Sequence, residues 1–399
     1  MTDKTAPGLQ TLAIHAGEGP DPSTRASAPN LVMSTTFVID PDVSFSAHEL
    51  EEDAPFVYTR WGNPTVDQLE KKLASLEGAG AAMAFASGMA AIGALFLHTL
   101  RSGDHLIMSD VSYAGAAELA DDLCPQIGVE VSKVDFSDLQ AVAAAVRPTT
   151  RLIYAETPAN PILRLTDIAA LAEIARAGDA KLVVDSTFAT PVATRPVELG
   201  ADYVVHSLTK YLGGHGDAVG GAVLGSREDI TRIRQGVGIH MGGVISPFNA
   251  WLIMRGIATL PLRMRAHQEG ALAVARHLED HPKVTRVVYP GLPSHPQHEL
   301  ARRQMSNFAG MLTFQTRDGE QTARALAERL EIIHYAVSLG HQRSLVVYLP
   351  TANMLRTSFR MTAEQEASYR AYAGDGVFRF SVGLEDPEDL INDLDRALA

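Results

Sequence analysis

Cysteine is nearly missing: Cys124 is the only one in 399 residues. An intrachain disulfide is therefore impossible, and zinc sites built from several thiolates are excluded. Positive charge is also short. Lys and Arg number 34 against 47 Asp and Glu, a net charge of −13. That deficit argues against nucleic-acid binding and against a polybasic membrane anchor, since both need concentrated positive charge. No uncharged apolar run reaches the ~18 residues of a membrane span, and the start MTDKTAPGLQTLAIHAGEG has no apolar core of a signal peptide. Internal repeats and low-complexity segments are absent. What remains is 46% hydrophobic and 20% charged, a globular composition long enough for two or three domains. The expectation is a cytoplasmic enzyme from a reducing compartment.

The chain divides by rhythm. Residues 1–60 have little periodicity and carry Pro7, Pro20, Pro22, Pro29, Pro41 and Pro55. They read as an N-terminal arm that contacts a neighbouring subunit. From residue 61 to about 255, apolar runs of three to five residues alternate with helical patterns. The runs are Ala81–Phe85, His105–Met108, Leu152–Ala155, Leu182–Val184, Tyr203–Val205 and Ala222–Leu224. Val66–Leu76, Gly88–Leu100 and Asp167–Ala177 repeat apolar residues at three and four. Strand, helix, strand at this spacing predicts an α/β domain with a mostly parallel sheet. Residues 256–399 form a smaller α+β C-terminal domain, with helical Pro247–Ile257 leading into it and a helical pattern to about Asp280. Strands are expected at Val284–Tyr289, Met311–Thr316 and Val377–Ser381, and a closing helix at Asp386–Leu398.

Chemistry concentrates in Tyr203–Gly225, YVVHSLTKYLGGHGDAVGGAVLG. A strand ends at His206; Ser207, Thr209 and Lys210 follow, then a glycine-rich turn. A lysine so placed can sit at the carboxyl end of a parallel sheet. Lys181–Asp185 (KLVVD) is a second strand, and it ends in an acid. A lysine and an acid are what pyridoxal 5'-phosphate (PLP) requires, one for its carbonyl and one for its ring nitrogen. Ser87-Gly88-Met89 stands where a strand turns into a helix, a place that suits either phosphate binding or plain N-capping by Ser87. Competing motifs fail. Gly214-His-Gly216 is followed by Val219 where a dinucleotide fingerprint needs glycine. Ser207-x-x-Lys210 has no S-D-N or K-T-G partner, and Phe85 replaces the glycine of a G-x-S-x-G elbow. His295 and His298 lack acidic or thiol partners, so no metal is expected.

VYTRWGNPT (57–65), FASGMAA (85–91), ETPANP (156–161), VDSTFATP (184–191), VVHSLTKYLGGHGD (204–217) and FRFSVGLED (378–386) together resemble the Cys/Met-metabolism PLP-dependent enzymes. The resemblance runs from about residue 9 to the C-terminus and is nearest to methionine γ-lyases and O-acylhomoserine sulfhydrylases; cystathionine γ-synthases and lyases belong to the same group. It implies the aspartate-aminotransferase-like fold, fold type I. It implies that Lys210 is the Schiff-base lysine and Asp185 the partner of the pyridine nitrogen, with Thr187 beside it. Ser87, Gly88, Met89, Ser207 and Thr209 match phosphate contacts, and Asn160 matches the asparagine near the ring hydroxyl. Tyr113 matches the tyrosine that stacks on the cofactor and moves protons. Tyr58 and Arg60 match a pair that reaches the phosphate of a neighbouring subunit, which implies a catalytic dimer and a homotetramer made of two such dimers. Arg379 matches the arginine that grips the substrate carboxylate, and Ser338 lies where backbone also holds substrate.

The implied reaction is γ-elimination from a γ-substituted amino acid, methionine γ-lyase-like, with γ-replacement by the same site as the alternative. Lys210, displaced by the substrate amine, removes the α-proton; a β-proton follows, and the γ-substituent leaves with a proton from Tyr113. A catalytically silent PLP-fold binding protein and an aminotransferase are the rival readings. The chain departs from methionine γ-lyases at Gly115, where they carry cysteine, and at Gly238-Ile239, where they carry Lys-Asp. The segment 341–376 is also longer than the family's usual run. The acidic cluster Glu49, Glu51, Glu52 and Asp53 reads either as a solvated charge run or as attraction for a cationic γ-substituent such as that of canavanine.

Overall fold

Alternating short strands and helices dominate the computed structural model, which describes residues 7–50 and 54–399. Glu51, Glu52 and Asp53 of the acidic cluster lie outside the described residues. The strands in chain order are β1 (Ala81–Phe85), β2 (His105–Ser109), β3 (Glu130–Val134), β4 (Thr150–Glu156), β5 (Lys181–Asp185), β6 (Tyr203–His206) and β7 (Gly221–Gly225), then β8 (Val284–Val288), β9 (Met311–Thr316), β10 (His334–Tyr335), β11 (Leu345–Pro350) and β12 (Gly376–Ser381). Two compact units form, one from Met1–Thr99 with Asp202–Pro261, the other from Leu100–Ala201 with Leu262–Ala399. Among the described residues no helix is long and apolar enough to cross a membrane.

In the first unit β7 lies between β1 and β6 and runs against both, with Phe85 opposite Gly221 and His206 opposite Ala222. The helix Pro64–Glu77 starts cleanly because Asn63 accepts the Thr65 N–H and Pro64 needs no donor partner. It stops at Gly78, whose φ of 71° suits glycine. Its apolar stripe, Val66, Leu69, Leu73 and Leu76, is buried. Two buried polar residues tie it to its surroundings. The Lys72 ammonium donates to the carbonyls of Ala13 (2.8 Å) and Ile14 (2.9 Å) and pairs with Glu18 at 2.6 Å. Glu77 meets His206 Nε2 at 2.6 Å, anchoring the end of β6. The arm contains an α-helix, Leu9–His15, that periodicity does not reveal, and a single 3-10 turn at Ala47–Glu49. Between them the chain is irregular and leaves Met33, Val38 and Phe45 exposed.

In the second unit β5, β4, β2 and β3 lie side by side and all pair in parallel. β2, β4 and β5 are apolar along nearly their whole length because both faces are covered. β3, reading EVSKV, is half exposed at the sheet edge, which is why no apolar run announces it. A second sheet has the order β10-β11-β12-β9-β8, antiparallel except between β10 and β11. Phe314 and Phe378 stack at 4.8 Å in its core, against Val274, Leu278, Leu390 and Leu394. The closing helix spans Pro387–Leu398, and its buried Asp393 accepts the N–H groups of Ile332 and Ile333 at 3.0 and 2.9 Å. The long segment after residue 341 forms β11 and two helices, Thr351–Thr357 and Ala363–Ala373. Phe359 and Tyr369 from it pack with Val111, Ala117, Ala159 and Ile162.

Candidate functional site

In the first unit β6 delivers Ser207, Thr209 and Lys210 directly into a turn. The Lys210 N–H donates to the Ser207 carbonyl at 3.2 Å, and Gly214 N–H closes on the Lys210 carbonyl at 2.7 Å. The Thr209 hydroxyl accepts the Gly220 N–H (3.1 Å) and lies 3.2 Å from the Gly220 carbonyl, so it clips this loop to the start of β7. Lys210 is half-buried. Across β1 and β7 the helix Gly88–Thr99 begins, and Ser87 Oγ accepts the Ala90 N–H at 3.1 Å. N-capping by Ser87 is thus realised. It leaves the N–H groups of Gly88 and Met89, in the first turn, without partners inside the helix. The glycines there are dictated by space. A Cβ on Gly221 would lie 2.2 Å from the Ser87 carbonyl oxygen, and one on Gly88 would lie 3.1 Å from Ser207 Cβ. Ser87, Gly88 and Ser207 are therefore drawn together at the start of this helix, a place suited to an anion.

Tyr58 and Arg60 belong to the same unit. The Arg60 guanidinium donates to the Ile239 carbonyl at 2.7 Å and lies 5.5 Å from the Tyr58 ring centre. Tyr58 is 39% exposed, so its ring presents a face outward. Glu49, the described member of the acidic cluster, accepts from the Ser44 hydroxyl.

In the second unit parallel pairing of β4 with β5 places two strand-ending acids side by side, Glu156 opposite Asp185. Both are buried. Asp185 accepts from the Tyr154 hydroxyl (3.1 Å) and from the Thr187 N–H (3.0 Å), so Thr187 meets the acid through its backbone. Burial, followed by the Asp185 charge, pushes the Tyr154 phenol well above its ordinary value. Glu156 accepts the N–H groups of Tyr113 (2.6 Å) and Asn160 (2.7 Å). Burial first and then Asp185 push its carboxyl well above the usual carboxylate range, against the pull of those two N–H groups and of Arg379.

From Asn160 the network continues. Its Oδ1 accepts from Arg379 at 3.0 Å, and the other guanidinium arm donates to the Ser338 carbonyl at 3.2 Å. Arg379 comes from the middle of β12. Ser338 holds a φ of +88°, and its hydroxyl lies 3.2 Å from His341 Nε2. Tyr113 precedes the helix Ala114–Gln126 and is 45% exposed. Gly115 adds no side chain beside it. Cys124 is buried on the same helix, and burial and then Asp121 push its thiol up to about 11, so it is not a reactive thiolate.

Glu156 and Tyr154 escape a reading by strand type alone. The signal was present, since LIYAE closes on an acid as KLVVD does. His295 and His298 bond to the carbonyls of Leu163 (3.0 Å) and Pro290 (2.9 Å), and among the described residues no cluster of His, Cys, Asp and Glu could hold a metal.

The donor sets fit PLP. The first unit offers an amine and a close-packed glycine turn at a helix start, whose first N–H groups have no partner inside the helix. The second offers a buried acid that can sit on a ring nitrogen, and a guanidinium and a half-exposed tyrosine tied to one carboxyl, that of Glu156.

Comparison with known proteins agrees. The sequence profile of Cys/Met metabolism PLP-dependent enzymes matches residues 10–399. The chain is 44% identical to canavanine gamma-lyase of Pseudomonas canavaninivorans, over 97% of this chain and 95% of that one. It is 43% identical to cystathionine gamma-synthase of Mycobacterium tuberculosis and to L-methionine gamma-lyase of Pseudomonas putida, over 98% of this chain and 97% of each relative. A crystal structure of cystathionine gamma-lyase from Lactobacillus plantarum complexed with L-serine matches with a TM-score of 0.87 at 36% identity, covering 98% of both chains. The fold is the aspartate-aminotransferase-like fold of PLP enzymes. With the profile spanning almost its whole length, the chain belongs to the Cys/Met-metabolism PLP-dependent enzymes, which act on γ-substituted amino acids.

Proposed function

We propose that the chain catalyses γ-elimination from a γ-substituted L-amino acid, releasing 2-oxobutyrate and ammonia. The observation that carries the reading is the Arg379–Asn160–Ser338 arrangement, suited to a carboxylate and joined through Glu156 to the backbone of Tyr113. PLP, when bound, supplies an electrophilic carbonyl and an electron-accepting ring. Lys210 would hold the cofactor through its side-chain amine, and that amine is the base that would take the α-proton. Asp185 keeps the ring nitrogen protonated, and its bonds to Tyr154 and to the Thr187 N–H hold it in place. Ser87, Gly88, Met89, Ser207 and Thr209 would hold the phosphate, and Asn160 would serve the ring hydroxyl. Arg379 binds the substrate carboxylate through its planar fork. Tyr113, half-exposed before its helix, would lie against the cofactor ring and would hand the proton of its hydroxyl to the leaving group. Tyr58 and Arg60 complete the phosphate site of a second copy, so the working unit is a dimer, paired into a tetramer. Exposed Met33, Val38 and Phe45 on the arm support such an association.

Gly115 and the buried Cys124 speak against a thiol-assisted methionine site. Similar identities to a canavanine lyase, a methionine lyase and a cystathionine synthase leave γ-replacement as the second reading. Product analysis separates them. PLP-loaded protein is offered L-methionine, L-cystathionine, L-canavanine, and an O-acylhomoserine with and without a thiol. The expected result is 2-oxobutyrate from at least one substrate without any added nucleophile. Turnover only when a thiol is added, with a thioether amino acid as sole product, would overturn elimination.

A further inference from the structure

Glu156 stands at the centre of the second unit's network, opposite Asp185 on the β4–β5 ladder. It is 4% exposed at the end of β4, and the ladder to β5 fixes its backbone. One carboxyl oxygen takes the N–H of Tyr113, the other the N–H of Asn160. Through Asn160 it reaches Arg379, and through Arg379 the Ser338 carbonyl. One short side chain therefore sets the backbone of the stacking tyrosine and the backbone of the residue that orients the carboxylate-binding arginine. We infer that Glu156 is a positioning residue that fixes Tyr113 and the Asn160–Arg379 pair relative to β4, and so determines how tightly the substrate carboxylate is held. The inference rests on the functional reading above, in which Arg379 binds that carboxylate.

Two features separate this role from general support of the core. Glu156 uses both oxygens, so an amide in its place keeps one acceptor and turns an N–H₂ toward the remaining backbone N–H. The two backbone groups it holds lead to site residues rather than to the sheet interior. A carboxamide substitution therefore leaves the strand ladder intact and releases one end of the network.

The test measures binding of L-alanine, which has no γ-substituent to lose, by the absorption change of PLP bound to the purified holoprotein. Wild type, Glu156→Gln, Arg379→Lys and the double variant are compared, together with PLP content and melting temperature. Glu156→Gln is expected to keep its PLP and weaken L-alanine binding about tenfold, the effect of stranding one buried N–H. In the Arg379→Lys background the same change is expected to cost less than about twofold, because the group it orients is gone. Should Glu156→Gln yield no folded protein, Glu156→Asp, which keeps the carboxyl group but shortens the reach, is expected to show the same pattern. A wild type that holds PLP yet gives no response to L-alanine would overturn the carboxylate reading and this inference with it. A responsive wild type matched by Glu156→Gln, or equal losses in both backgrounds, would overturn this inference alone.

Discussion

Gly221→Ala attacks the cofactor cradle without touching any group that performs chemistry. The new Cβ would lie 2.2 Å from the Ser87 carbonyl oxygen, 2.5 Å from its carbonyl carbon and 2.7 Å from Gly88 Cα. All three are backbone atoms, so no side-chain rotation relieves the contact. Relief needs about 1 Å of separation in a close-packed interior. β7 cannot supply it cheaply, because Gly221 is in register with Phe85 and Ala86 N–H is held by the Gly243 carbonyl at 2.7 Å. The Ser87–Gly88 turn must move instead, carrying the first N–H groups of its helix away from the phosphate position. Overpacking of this kind costs about 1–3 kcal/mol, which corresponds to roughly 10- to 100-fold in PLP affinity if the displacement falls on the cradle. The assay is PLP titration of the apoprotein, followed by absorption, with pyridoxal lacking the phosphate as comparator. PLP should bind more weakly, while pyridoxal, which makes no phosphate contacts, should change by less than about twofold. Gly19→Ala, where a Cβ meets nothing within 4 Å, should behave as wild type. A folded Gly221→Ala protein that binds PLP as tightly as wild type would refute the assignment of this turn as the phosphate cradle.

Tyr113→Phe keeps the stacking face and removes the proton carrier, so kcat should fall about 10²-fold or more while L-alanine binding barely changes; undiminished turnover would remove Tyr113 from proton transfer. Lys72→Met removes the partner of half-buried Glu18 and leaves the buried Ala13 carbonyl unpaired, and should destabilise the fold by about 1–3 kcal/mol, seen as a lower urea midpoint. His267 and His295 are both lowered from 6.5 to about 4, chiefly by burial, so the unfolded chain binds protons that the folded one refuses. Their contribution is fully present above pH 6.5 and is lost as pH falls toward 4, at up to about 3 kcal/mol each; an unfolding free energy that stays flat from pH 7 to 4 would contradict it.

The sequence announced the strands whose two faces are covered. β1, β2 and β4 to β7 appear as apolar runs because nearly every residue on them is buried, and the Met311–Thr316 and Pro247–Ile257 expectations coincide with β9 and a helix to the residue. Concealed elements share a physical reason. β3 is an edge strand with polar residues, the helix Leu9–His15 is too short to show a period, and Ala363–Ala373 mixes charged and aromatic residues around its circumference. The site divides in the same way. Lys210, Asp185 and Ser87 stand at strand ends, where one local pattern identifies them. The Asn160–Arg379 bond joins residues 219 apart, and Glu156 acts by holding backbone groups, so neither leaves a trace in spacing. Glu156 becomes visible only when β4 and β5 are laid side by side.

The account stands on Lys210 as the residue that carries the cofactor. Treating the PLP-loaded protein with borohydride fixes the cofactor to whichever lysine holds it, and peptide mass spectrometry then reads its position. The phosphopyridoxyl group is predicted on the peptide containing Ser207-Leu208-Thr209-Lys210, with Lys210→Ala losing the label and the absorption of bound PLP. Label on another lysine, or a Lys210→Ala protein that still retains covalently fixed PLP, would contradict the account.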